Sequence, residues 1–260
     1  MMRNIREGFG VLMKSASTIA LAAALIAVCG CDRSGPAATA VAATPQHPDF
    51  SGIWFPAGRQ QDPQRPEFTP GAAAAAAEYE KAFTLDDDPG RYCQWPGMPR
   101  AVWGAPFTVE IQQRPQDLTI YWEGYGMYRK IFMADSAPPV PPLPSAMGYS
   151  VAHWEGDTLV VDTTNLKQYP YMTRQATSSA AHVVERIRLE EREVDGKKTK
   201  FIVNELVVTD PKVYTGPIKI TASLRHRPDL QPLEYTCTDA LWDDYLTERG
   251  LSLPDLDALP

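Results

Sequence analysis

Three ionisable side chains stand an even number of residues apart in one short segment: Tyr149, His153 and Glu155. Residues two apart in a β-strand point to the same face, so an extended segment places all three on one side. A phenol, an imidazole and a carboxylate on one face can exchange protons with a small ligand. If that face lines a cavity, the segment predicts acid–base catalysis. If Trp154 points inward instead, the three side chains are solvated.

Two charged residues interrupt otherwise apolar faces of predicted strands. Arg129 alternates with apolar residues in 127–133, and Glu185 does so in 183–189. Because a buried charge is costly unless it is paired, either the two residues pair across the interior or each binds a group of a ligand. In the second case Arg129 binds a carboxylate or phenolate, and Glu185 is a candidate base.

Aromatic residues are abundant, with 6 Trp, 11 Tyr and 8 Phe. Some of them must fill the core, but the surplus suits a pocket for an apolar or aromatic small molecule. We expect Arg129, Trp122, Trp154 and Tyr125 to contact such a ligand.

Several other classes of site lack a sequence signature. The 4 histidines are scattered, so we expect no metal ion. The chain has no nucleophile elbow, phosphate-binding loop or dinucleotide fingerprint, and we expect no cofactor. A net charge of −7 disfavours nucleic acid as a partner, because phosphates require a basic patch.

Alternation of apolar and polar residues predicts the strands that must position these side chains. About eight segments show it: 107–112, 118–123, 127–133, 148–155, 158–164, 182–191, 200–209 and 218–225. They follow one another mostly as hairpins, without helical crossovers. This order favours a mainly β fold with a single antiparallel β-barrel, and a β-sandwich is the alternative. A short N-terminal helix after Pro70 and a short C-terminal helix within 235–246 complete the prediction.

The N-terminal segment indicates the compartment. An apolar run at 19–28 precedes Cys29-Gly30-Cys31, a pattern typical of a bacterial lipoprotein signal with Cys31 as the lipidated residue. We expect a signal peptide at 1–30, a lipidated flexible tether at 31–48 and a barrel domain at 49–260. The protein would then be anchored to a membrane of the cell envelope, inner or outer, and face the periplasm. An ordinary secretory signal and an uncleaved anchor are the alternatives.

Cys93 and Cys237 are the cysteines left to the folded domain. In an oxidising compartment a disulfide between them is expected, and two separate buried thiols are the alternative.

Gly52-Ile53-Trp54, placed before the predicted strands, resembles the opening of lipocalin-like (calycin) barrels. The resemblance implies that Trp54 closes one end of the barrel and that an arginine of the last strand packs on it. Arg225 or Arg227 would supply that arginine.

The chain also resembles a large family of functionally uncharacterised secreted bacterial proteins and lipoproteins. The matching elements include 49–54, Cys93 with 96–100, and the sequence Trp-Glu-Gly-Asp-Thr-Leu-Val-Val at 154–161. This resemblance implies a secreted or lipid-anchored domain and transfers no activity. At Tyr149 and Thr177 the chain departs from the family, which usually has histidine there, so chemistry that depends on those histidines would be lost or rearranged.

Together these features predict a periplasm-facing lipoprotein whose barrel binds a small hydrophobic or aromatic molecule. A cofactor-independent lyase, isomerase or cyclase that uses Tyr149, His153, Glu155 or Glu185 is the second hypothesis. A module for envelope interactions is the third, and it predicts a large exposed apolar patch.

Overall fold

The computed structural model describes residues 47–57, 66–84, 86–103, 106–141, 143–172, 176–238 and 240–260. The predicted signal peptide, Cys31 and the tether up to residue 46 lie outside them. Within the described ranges, no helix is long and apolar enough to cross a bilayer.

The strands of the described chain form one closed barrel, in which each strand pairs with the next and the last pairs with the first. The predicted barrel is confirmed, and the sandwich alternative is wrong because the sheet closes on itself. There are nine strands rather than about eight, because the five-residue first strand is too short to show a clear alternation. They are β1 (Gly52–Pro56), β2 (Val109–Arg114), β3 (Asp117–Trp122), β4 (Met127–Met133), β5 (Tyr149–Glu155), β6 (Thr158–Thr164), β7 (His182–Val194), β8 (Lys197–Thr209) and β9 (Ile218–His226).

Both predicted helices are present, and a third, very short one lies between them. They are α1 (Pro70–Ala82), α2 (Arg100–Trp103) and α3 (Ala240–Arg249). The alanine run favours helix in α1, and its start is fixed by Pro70 and by the N-cap residue Thr69, whose Oγ1 accepts a bond from the Ala72 amide at 3.2 Å. The C-terminal helix begins later than predicted, because residues 231–238 have no regular structure.

One strand pair departs from the predicted hairpin order. β4 and β5 are parallel, with Ile131 opposite Ser150. A parallel pair needs a long connection, and the proline-rich segment 134–148 supplies it. The longest hairpin, β7–β8, turns at Asp195 and Gly196, whose φ angles of 52° and 72° suit a two-residue turn of the type I′ class.

The two ends of the barrel differ. At one end, which we call the mouth, Phe50 leads into β1 beside the β2–β3 and β5–β6 turns. At the other end lies a cap formed by α1, α2 and the loop segments 165–172 and 176–181. Residues at the start of α1 bond to the β8–β9 connection, with the Thr69 amide 3.0 Å from the Val213 carbonyl.

Trp54 closes part of the interior and is 1% exposed. Its Nε1 donates to the Phe50 carbonyl at 2.9 Å, and its ring contacts that of His226 at 5.0 Å between centroids. The last strand thus does pack on Trp54, but the contacting ring is His226, which lies between the two arginines expected from the lipocalin resemblance.

Cys93 and Cys237 form a disulfide, as predicted. The bond joins positions 144 residues apart, and closing so long a loop stabilises the fold by about 5 kcal/mol in the chain-entropy estimate. The disulfide links the segment before α3, which contains Cys237, to the turn before α2, which contains Cys93. Trp242 of α3 is fully buried there and contacts Tyr92 at 5.4 Å between ring centroids.

Candidate functional site

Five successive strands each contribute one polar side chain to the barrel interior. None of these residues is more than 8% exposed, because each occupies an inward position of its strand. Buried polar groups must satisfy one another's hydrogen bonds, since water does not reach them. We call this set the polar belt: Arg129 on β4, Ser150 on β5, Thr163 on β6, Glu185 on β7 and Asn204 on β8.

An ion pair forms the centre of the polar belt. Arg129 Nη1 lies 3.1 Å from Glu185 Oε1, and Nη2 donates to Oε2, so the contact is bidentate. Arg129 also donates from Nε to Ser150 Oγ at 3.2 Å and from Nη2 to Thr163 Oγ1 at 2.9 Å. Glu185 Oε1 accepts a further bond from Asn204 Nδ2 at 2.7 Å. Of the two alternatives raised by the sequence, the structure therefore has the internal pair.

One polar atom of the belt has no partner among the described residues: Asn204 Oδ1. Asn204, Arg129 and Glu185 form one wall of a cavity of about 40 Å³ inside the barrel. The cavity lining thus combines a polar group of three belt residues, one of which carries an unsatisfied acceptor atom, with a larger number of hydrocarbon side chains. The apolar lining consists of Phe50, Val102, Val109, Ile111, Leu118, Ile120, Trp122, Ile187, Ile202, Ala222 and Leu224.

A larger groove of about 590 Å³ lies at the mouth. One of its walls is Trp154, which stacks between His47 and Phe50 with ring centroids 4.5 and 5.7 Å away. Leu118 lines both the groove and the internal cavity, so the two spaces adjoin. The groove is lined by His47, Asp49, Gln113, Arg114, Pro115, Leu118, Met133, Asp135, Ser136 and Trp154.

Three of the four predicted ligand-binding residues line these two spaces. Arg129 and Trp122 border the internal cavity, and Trp154 borders the groove. Tyr125 lies elsewhere: its hydroxyl donates to the Gly90 carbonyl at 2.9 Å, and its ring packs against Tyr235 near the disulfide. Tyr125 therefore borders neither of the two spaces.

The predicted catalytic face of β5 points away from the interior. Trp154 and the belt residue Ser150 are on the inward face, and His153 and Glu155 lie on the outer surface. Glu155 accepts a bond from Arg186 at 2.8 Å and is 3.4 Å from His153. Both contacts lower the pKa of Glu155, and the hydrogen bond from Arg186 has the larger effect. Of the two orientations that the sequence left open, the structure therefore has the one in which Trp154 points inward and His153 and Glu155 are solvated.

Tyr149 is buried although it faces outward. Its hydroxyl donates to the Pro138 carbonyl, and its ring lies 6.0 Å from that of Phe132. The 134–148 connection covers it, a consequence of the parallel β4–β5 pair that the sequence did not predict. The four candidate catalytic residues are thus not brought together: Glu185 is in the polar belt, Tyr149 is under a loop, and His153 and Glu155 face solvent.

A second, partly buried polar cluster holds the cap together and had no role in the sequence prediction. Arg100 contacts both carboxylate oxygens of Asp88, at 3.1 and 2.7 Å, and donates to the Tyr169 hydroxyl at 3.0 Å. Burial opposes the charge of Arg100, but the hydrogen bond to Asp88, together with the electrostatic effects of Tyr169, Asp88 and Tyr171, raises the pKa of Arg100. Burial likewise raises the pKa of Tyr169 and of Tyr79, so both stay neutral. The one sequence signal was that Arg100 belongs to the 96–100 block of the family resemblance.

Fold and site together define a closed β-barrel with an amphipathic interior that adjoins a groove at the mouth. Comparison of the chain with models of protein families, with curated proteins and with solved structures finds no match. The function is therefore inferred from the site itself.

The polar belt makes a specific prediction about stability. Arg129→Met leaves Glu185 buried and uncompensated, so we expect a loss of about 3–5 kcal/mol in the free energy of unfolding, measured with urea. The double variant Arg129→Met/Glu185→Leu should lose much less than the two single variants added together. Arg188→Met breaks an outer-surface pair with Glu205 and serves as the control, with an expected loss below about 1 kcal/mol. Additive losses in the double variant would contradict the pairing as the source of the effect.

Proposed function

We propose that this protein binds a small, mainly hydrophobic or aromatic molecule at the mouth and interior of its barrel. The observation that supports this most is the adjacency of the groove, walled by Trp154, and the internal cavity, walled by the polar belt. Both spaces have apolar surface for a ligand body, and the cavity adds one unsatisfied acceptor.

The sizes of the two spaces decide how a ligand fits. Pockets for small molecules usually have volumes of about 300–1,000 Å³, so the cavity of about 40 Å³ holds only one end of a ligand. The groove, at about 590 Å³, is large enough for the body. Passage between them requires Leu118 and Phe50 to move, since these side chains lie where the two spaces meet.

The polarity of the cavity specifies the end of the ligand that enters. Arg129 and Glu185 neutralise each other, so the cavity offers no net charge to a ligand ion. Asn204 Oδ1 can accept one hydrogen bond, and leaving it unpaired costs about 1–3 kcal/mol. A hydroxyl or N–H group on an apolar ligand is uncharged and can donate this hydrogen bond.

Catalysis finds less support than binding. Glu185 is held by hydrogen bonds from Arg129 and Asn204, and His153 lies outside the barrel. A lyase, isomerase or cyclase would need a proton-transfer group beside the ligand, and among the described residues that line the cavity Glu185 is the sole carboxylate. We therefore propose a binding protein.

We also propose that the protein is anchored to a membrane of the cell envelope through a lipid on Cys31 and faces the periplasm. The apolar run before Cys31 supports this, and the disulfide is typical of an oxidising compartment. His47, which follows the predicted anchor by 16 residues, contacts Trp154 and the Gly156 carbonyl at the mouth.

Binding can be tested with N-phenyl-1-naphthylamine, an apolar N–H donor that fluoresces in apolar surroundings. We expect saturable fluorescence with the full-length protein, and about tenfold weaker binding after Trp154→Ala, because a large apolar contact is lost. His153→Ala changes the outer face of the same strand and should leave binding unchanged. If Trp154→Ala and the parent protein bind the probe equally, the site is not at the mouth.

The role of Asn204 is tested by competition against the same probe. 1-Naphthol should displace it about three- to tenfold better than 1-methoxynaphthalene, which lacks the donor. Asn204→Leu should abolish that difference while leaving the affinity for 1-methoxynaphthalene similar. Equal displacement by the two compounds from the parent protein would contradict recognition of a donor.

Lipidation is tested by metabolic labelling with an alkyne analogue of palmitate during expression in bacteria. The parent chain and Cys29→Ser should carry the label and sediment with membranes. Cys31→Ser should lose the label and the membrane association. Labelling of Cys31→Ser would rule out this residue as the anchor.

A further inference from the structure

A second groove lies on the outside of the barrel, on the opposite side of the β2–β4 wall from the cavity. We call it the tyrosine groove; its volume is about 390 Å³. Outward-facing residues of three neighbouring strands form its floor, and the segment 232–234 forms its side. The residues that matter for its chemistry are Glu110, Tyr121, Tyr128, Leu233 and Glu234.

Two aromatic rings lie side by side on the floor. Tyr121 and Tyr128 are direct cross-strand partners, with ring centroids 4.7 Å apart and planes tilted by 39°. Tyr128 is 64% exposed and Leu233 is 60% exposed, which is unusual for large apolar groups that share one groove. The tyrosine faces therefore offer a π surface to a ligand.

The charged residues that line the groove are all acidic. Glu110 and Glu234 line it, and none of its described lining residues is basic. The pKa of Tyr121 is raised, mainly by burial. Smaller contributions come from Tyr128 and from the carboxylates of Glu123 and Glu110. Lys130 is a neighbouring cation on the outer face of β4. Its Nζ lies 3.0 Å from Asp117 Oδ2, and the residue does not line the groove.

The wall of the groove is held in place by contacts outside it. Tyr235, directly after Glu234, packs its ring against Phe107 and Tyr125 at 5.6 and 5.5 Å between centroids. Two residues further on, Cys237 is bonded to Cys93. The side wall is thus fixed, and little ordering entropy is lost when a ligand binds.

From this combination we infer that the tyrosine groove binds a small organic cation of the trimethylammonium class. Aromatic faces attract cations through their quadrupole, and an alkylated ammonium also buries apolar surface against Tyr128 and Leu233. The carboxylates of Glu110 and Glu234 supply the opposite charge. This inference stands independently of the proposed ligand at the mouth, because the two sites share no residue.

Choline and its neutral isostere 3,3-dimethyl-1-butanol provide a direct test. They share their shape and differ in charge. In an NMR titration of the full-length protein, we expect choline to shift the ring resonances of Tyr121 and Tyr128 in a saturable way, and the isostere to bind at least about fivefold more weakly. Equal affinity for the two compounds, or no saturable shift with choline, overturns the inference.

Two sets of variants separate the aromatic and the electrostatic contributions. Tyr128→Leu should weaken choline binding about threefold or more while the isostere is unaffected. Glu110→Gln/Glu234→Gln should weaken it about fivefold. Glu191→Gln/Glu193→Gln makes the same change in net charge on exposed residues outside the groove and should have no effect. If both charge pairs weaken binding equally, the attraction is non-specific and the groove is not the site.

Discussion

Arg129 and Glu185 can both be buried in the barrel only because they pair with each other. Two charges inside a protein are tolerated only when hydrogen bonds replace the water that each has lost. Ser150, Thr163 and Asn204 supply those bonds from three further strands. A shift by one residue in any of these strands would turn its belt residue outward, so the ion pair and the strand register specify each other.

The same pair makes the interior amphipathic. β4–β8 contribute the belt, whereas most of the hydrocarbon lining of the cavity comes from β2, β3 and β9, with Ile187 and Ile202 added by β7 and β8. The cap closes one end with α1, α2 and the Arg100–Asp88 pair, and the disulfide fixes the C-terminal segment beside them. The other end carries the groove beside Trp154, which we propose as the route of a ligand to the interior. An amphipathic interior reached from one end is the arrangement expected of a barrel that binds small molecules.

Much of this architecture could be predicted from the sequence because alternation of apolar residues directly reports which side chains face the core. It placed eight of the strands, and it identified Arg129 and Glu185 as buried charges. It failed for β5, where polar and apolar residues alternate on both faces and a covering loop buries Tyr149. That loop follows from the parallel β4–β5 pair, a non-local feature with no periodic signal. The Arg100–Asp88 cluster was missed for the same reason, since irregular segments bring it together.

We propose that a ligand enters from the mouth and donates a hydrogen bond to Asn204. This can be tested by NMR of the labelled full-length protein during titration with 1-naphthol. We expect saturable shifts of the Asn204 side-chain amide and of the Leu118 methyl groups, and no shift at His153 on the outer face. Shifts confined to the outer surface, with Asn204 and Leu118 unchanged, would contradict it.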